Sequence, residues 1–265
     1  MTALIPASDV GITVITLVVS VLAVALYAYV GLRLVRRDVS ARSRLASYQF
    51  SLWWLGLGAA LAAGRIELAL ALGNSLPYAA AVTFSLVNIA IEAIYLWGLV
   101  GSFVYLYTGR YYLLGLGVLY AAFYFVSVYA IFAQGPYAVS VASGTPALLY
   151  ASPASSGAAL ALTLVVIVPE FVAACLYLTL LRQAPDRTVR WRISLVGSSI
   201  LFWVAVHAFV PSAGYDWILA KTFLDAIPAV LSYLGLLPPA WLRRRFGLAA
   251  TGDVEEYHHA GTVTP

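Results

Sequence analysis

Long apolar runs separated by short turn-forming segments dominate the chain. A helix needs about 20 apolar residues to cross the hydrocarbon core of a bilayer. That window predicts spans near 10–35, 46–72, 78–107, 111–133, 158–182, 192–211 and 217–238. Gly, Pro and Asn clusters punctuate them, including "GNSLP" at 73–77 and "PSAG" at 211–214. The expected fold is therefore all-α, a bundle of seven transmembrane helices over residues 1–247, followed by a short disordered cytoplasmic tail over 248–265. The segment 134–157, rich in Ser, Gly, Pro and Ala and free of charge, is expected to be a plain connector; a lid over an external cavity is the alternative.

Composition supports a membrane protein. The 265 residues are 63% hydrophobic and 10% charged, whereas soluble domains are about a quarter charged. The basic residues collect beside alternate ends of the spans: Arg33, Arg36, Arg37, Arg42 and Arg44; Arg110; Arg182, Arg187, Arg190 and Arg192; Arg243, Arg244 and Arg245. The intervening loops 73–77, 134–157 and 211–216 contain no Lys or Arg. Short basic loops remain in the cytoplasm, so the N-terminus is expected outside, the C-terminus inside, and the protein in the cell membrane as a multi-pass chain. The same placement accounts for the high isoelectric point and argues against nucleic acid as a partner. A single cysteine, Cys175, excludes an intramolecular disulfide.

The spans carry ionisable residues that such an environment disfavours: Arg65, Glu67, Glu92, Glu170, His207, Lys221 and Asp225. Ionisable groups inside a membrane are costly and usually face the bundle interior. At a rise of about 1.5 Å per residue, Glu92 and Glu170 fall roughly 18–20 Å from the outer ends of their spans, with Asp225 and Lys221 shallower. Ser85, Asn88, Glu92 and Tyr95 share one helical stripe, as do Lys221, Asp225 and Ser232, and Trp203 lies one turn from His207. These stripes imply a polar cavity in the outer half, lined by Asn88, Glu92, Glu170, Trp203, His207, Lys221 and Asp225, for a small-molecule ligand. Lys221 either snorkels to the headgroups or pairs with Asp225. Arg65 and Glu67 read more readily as interfacial residues. Pro169 and Pro228 sit beside Glu170 and Asp225, where a freed carbonyl permits a kink.

Familiar chemistry is weakly represented. Lys221 is the only lysine, but it precedes Asp225 by four residues near the start of its span, the reverse of the retinal-binding order. His207 is the only histidine in the spans, which leaves a bis-His haem without its second ligand. Glu92, Glu170, His207 and Asp225 could hold a divalent ion, without any close-spaced motif to support it. No catalytic residue or cofactor is assigned.

"VYLYTGRYY" closes the third span, and "YDWILAKTFLDAIPAVLSYLGLLPPAWLRRRFG" carries the seventh into a basic end. Both resemble the seven-helix N-terminal sensor modules of bacterial histidine kinases. The resemblance implies a receptor-like sensor that binds a small ligand from outside and acts through a separate cytoplasmic signalling partner. The rivals are a proton-coupled transporter using Glu92, Glu170 and Asp225, and a metal-dependent intramembrane enzyme.

Overall fold

A computed structural model describes residues 10–36, 41–73, 78–108, 110, 115–132, 137–142, 145–150, 155–209 and 218–248. Seven long helices account for most of them: α1 (Val10–Val35), α2 (Ala41–Leu72), α3 (Tyr78–Thr108), α4 (Gly115–Phe132), α5 (Ser155–Thr179), α6 (Arg187–Phe209) and α7 (Ile218–Leu236). A short α8 (Ala240–Phe246) follows, and one 3-10 turn over Leu180–Arg182 extends α5. The span boundaries differ in detail. The second helix starts at Ala41, so its 32 residues make a rod of about 48 Å, well over the roughly 30 Å core of a bilayer. The fourth starts at Gly115 and is the shortest of the seven at 18 residues.

Because these helices are apolar almost all round, a general hydrophobic face cannot orient them; their few polar side chains can. On α1, Thr13, Thr16, Ser20 and Tyr27 are buried against the bundle. Val14, Ile15, Val18, Val21 and Leu22 point outward and are exposed. The same inversion recurs on α4 with Leu119, Phe123 and Val126, on α5 with Val168, Phe171 and Val172, and on α7 with Phe223 and Val230. A soluble domain covers such surface with polar groups. Here lipid is the solvent that suits it.

Packing follows the chain. Helix α1 lies against α2, α2 against α3, α3 against α4, α5 against α6, and α6 against α7. Contact between α7 and α1 closes the bundle, and α3 reaches α5 directly, leaving α4 mostly on α3. Small residues permit the closest approaches. Gly98 on α3 rests on the backbone of Gln49 and Trp53 in α2, and Gly117 on α4 rests on Trp97 and Gly101 of α3. Such contacts are how helices associate where no hydrophobic effect separates them from lipid.

One end of the bundle is basic and aromatic. Arg33 and Arg36, Arg182, Arg187 and Arg190, and Arg243 to Arg245 lie at the ends of α1, α5, α6 and α8. Asp186 caps α6 by accepting the Val189 amide at 2.8 Å. Trp191 donates its indole N–H to the Leu234 carbonyl at 3.0 Å and packs on Phe246, with ring centroids 5.0 Å apart. Tyr29 and Tyr233 meet at 5.9 Å at the same end. Pro238 and Pro239 stop α7, and Gly247, at φ 61°, ends α8 in the left-handed conformation, where glycine is favoured.

The connector between α4 and α5 departs from the all-helical expectation. Strands β1 (Tyr137–Ala142) and β2 (Thr145–Tyr150) pair antiparallel, Tyr137 opposite Tyr150 and Ala142 opposite Thr145. In sequence only Ser143 and Gly144 separate the two strands, and small residues between β-formers are a hairpin signal. Strand β2 touches α2 and α3, so this segment folds back on the bundle. The tail expected over 248–265 falls outside the described residues beyond Leu248.

Candidate functional site

Two polar clusters lie inside the helices. The first joins α2 to α7. Arg65 Nη2 donates to Thr222 Oγ1 at 3.1 Å and lies 3.7 Å from Asp225 Oδ2. Lys221 Nζ donates to the same Oδ2 at 2.8 Å, one turn away on α7. Tyr27 of α1 donates its hydroxyl to the Asp225 backbone carbonyl at 3.1 Å, pinning a third helix to the cluster. Asp225 is 1% exposed, whereas the Lys221 side chain is 21% exposed and forms the accessible edge. Two cations thus converge on one oxygen of one carboxylate, and Asp225 Oδ1 has no hydrogen-bond partner. The cluster carries a net positive charge.

The second cluster joins α3, α4, α5 and α6. Tyr124 of α4 donates its hydroxyl to Glu92 Oε2 of α3. Glu170 of α5 is fully buried, and neither of its carboxylate oxygens receives a hydrogen bond of normal geometry. The indole groups of Trp53 and Trp203 are the donors in reach of it, and Glu92 is close enough to act on its charge. Asn88, one turn before Glu92, is partly buried with its Oδ1 unpartnered.

Aromatic rings fill the space between the clusters. Tyr27 stacks on Trp54 at 6.1 Å and meets Trp203 edge-on at 6.2 Å, and Trp53 contacts Trp54 at 4.1 Å. Trp53, Trp54 and Tyr27 are completely buried. Tyr27 therefore connects the two sites: its hydroxyl reaches Asp225 and its ring touches Trp203, which faces Glu170.

Among the residues singled out from sequence, the structure groups Lys221 with Asp225, and Asn88 with Glu92 on α3. Glu170 and Trp203 face each other from α5 and α6. His207 falls within α6, with its side chain outside the described residues. One expectation needs correction. Arg65 and Glu67 are not interfacial: both are buried, at 8% and 3% exposure. The reason is the neighbour. Thr222 and Asp225 on α7 supply an acceptor and a counter-charge that desolvated Arg65 needs. Of the two readings left open for Lys221, the structure shows the pair, its ammonium donating to Asp225 Oδ2. Tyr27, Trp53, Trp54, Tyr124 and Thr222 escaped the sequence reading, since each is an ordinary residue of an apolar helix until its partner is known. For Arg65 a signal existed. It sits seven residues before the end of α2, and Asp225 sits seven after the start of α7, so antiparallel helices place them at one depth.

Among the described residues no three His, Cys, Asp or Glu side chains come together in a metal-binding group. Among the described residues four helices contain stretches long and apolar enough to cross a membrane: Val10–Val35, Leu86–Phe103, Arg187–Val206 and Leu219–Leu236. With the lipid-facing exterior and the charged interior, they define a helical membrane protein. Compared with protein-family models, with curated proteins and with solved structures, the chain gives no match to any of the three.

Proposed function

We propose that the chain is a receptor-like sensor module of the cell membrane, spanning it seven times with the N-terminus outside and the C-terminus in the cytoplasm. Its ligand is a small molecule with an acidic group, taken up at the Arg65–Thr222–Lys221–Asp225 cluster. The observation that carries this reading is the convergence of Arg65 and Lys221 on a single Asp225 oxygen. An entering carboxylate or phosphate offers the second cation a partner of its own, and the partly exposed Lys221 gives it access. Charge-assisted bonds of this kind are short and strong. The basic ends of α1, α5, α6 and α8 support the orientation. Pro169 and Pro228 lie inside α5 and α7, one beside Glu170 and one a turn beyond Asp225, and a proline there permits a bend by which the two helices would respond. A separate cytoplasmic signalling partner would read the movement at the basic end.

A proton-coupled transporter is the second reading, favoured by the mid-bundle carboxylates Glu92 and Glu170, which have no cation beside them among the described residues. The test is ligand-dependent stabilisation of the purified full chain. Small carboxylates and phosphates raise its unfolding temperature while their neutral amide or ester analogues do not, and Arg65→Gln abolishes the rise. Equal shifts with acids and neutral analogues would remove the reading. Acid-driven uptake into proteoliposomes would replace it with the transporter.

A further inference from the structure

The second cluster carries an assignment of its own. Glu170 is completely hidden from water, at 0% exposure, with both carboxylate oxygens lacking a normal hydrogen bond. The groups facing it come from five helices: Tyr27 on α1, Trp53 on α2, Glu92 and Tyr95 on α3, Tyr120 and Tyr124 on α4, and Trp203 on α6. On α7 the charged groups are Asp225 and Lys221, which pair with each other. None of the described groups acting on Glu170 is a cation. Two carboxylates therefore stand near each other in low dielectric without a counter-charge. Such a pair does not carry two negative charges, and one member holds a proton.

Geometry distinguishes the members. Glu92 accepts the Tyr124 hydroxyl, and a hydrogen bond donated to a carboxylate favours its ionised form. Glu170 has no such donor in bonding geometry, and an unsolvated, unbonded carboxylate is the costlier of the two to keep charged. The geometry points to Glu170 as a proton-binding site: a neutral carboxylic acid at the bundle centre, beside an ionised Glu92 held by Tyr124. Binding is simple addition, one proton joining one Glu170 oxygen. The packing of Trp53, Trp54 and Tyr27 around the site leaves it suited to an occupant this small. The assignment leaves one negative charge at the centre, opposite in sign to the net charge of the Arg65, Lys221 and Asp225 cluster, with Tyr27 touching both. It does not rest on the ligand reading, and it is read without any ligand.

Infrared spectra of the full chain in lipid nanodiscs test it. At neutral pH the wild type shows the carbonyl stretch of a protonated carboxylic acid, and the difference spectrum against Glu170→Gln removes that band. Glu92→Gln retains the band, because the proton sits on Glu170 and not on Glu92. Should Glu170→Gln fail to fold, Glu170→Asp keeps an acid at the site and shifts the band instead. A band untouched by either Glu170 substitution, or one lost in Glu92→Gln, overturns the assignment.

Discussion

Arg65 of α2 and Asp225 of α7 meet inside the bundle, Nη2 to Oδ2 at 3.7 Å, across 160 residues of chain. The contact changes what Asp225 does. In sequence Asp225 and Lys221 form a balanced pair on one helix face; among the described residues Asp225 is the one counter-ion that meets both cations. The two partners of the helical pair are consequently unequal.

Substitution should expose that inequality. Asp225→Asn leaves Arg65 and Lys221 facing each other without compensation. Removing one partner of a buried ion pair costs about 3–5 kcal/mol, and the loss in denaturant or thermal unfolding should fall in that range. Lys221→Gln keeps the Arg65–Asp225 contact and removes a partly exposed group, so it should cost less than half as much. The double substitution Arg65→Gln with Asp225→Asn should recover part of the Asp225→Asn loss. Equal effects for Asp225→Asn and Lys221→Gln would mean that Arg65 does not depend on Asp225.

The Tyr124–Glu92 bond joins α4 to the rest of the bundle. Tyr124→Phe removes a hydroxyl donated to a carboxylate, and hydrogen bonds to charged groups contribute about 1.5–3 kcal/mol. The expected loss of stability is of that size, and it should shrink when Glu92 is already Gln. A double-mutant cycle on the solubilised protein measures the coupling; strictly additive effects would count against the bond.

Gly98 and Gly115 offer a matched pair of alanine substitutions. A Cβ at Gly98 would strike the α2 backbone at Gln49 and Trp53, while one at Gly115 meets nothing within 4 Å. Gly98→Ala should therefore destabilise by about 1–3 kcal/mol, the usual cost of overpacking. Gly115→Ala should be neutral or slightly stabilising, since alanine favours helix. Thermal unfolding of the two variants side by side decides it.

The proposed orientation is accessible to labelling. With Cys175 replaced by Ser, cysteines at Ser75 and Ser212 should react with an impermeant maleimide from outside intact cells. A cysteine at Gln183, which is exposed at the basic end, should react only after permeabilisation. Labelling of the Gln183 position in sealed cells would overturn the seven-span topology.

The sequence by itself determined the long helices of this protein and their order along the chain. Runs of apolar residues set seven long helices, because backbone groups in lipid must be satisfied within the segment. Arginines marked one end. What counting cannot supply is azimuth. Helices apolar on every side do not announce which side faces inward, so the sequence left Arg65 and Glu67 among the interfacial residues and Tyr27, Trp53 and Tyr124 unremarked. Tertiary structure decided those facings. The closure of α7 on α1 and the packing of α2 beside them give Arg65 its acceptors on α7, and α4 resting on α3 gives Glu92 its tyrosine. The hairpin between α4 and α5 belongs to the same class: its alternating pattern was present in "YAVSVA" and "TPALLY", but two short strands are marginal alone and here β2 rests on α2 and α3. Which charges are buried, and against what, depends on neighbours that only the folded bundle assembles.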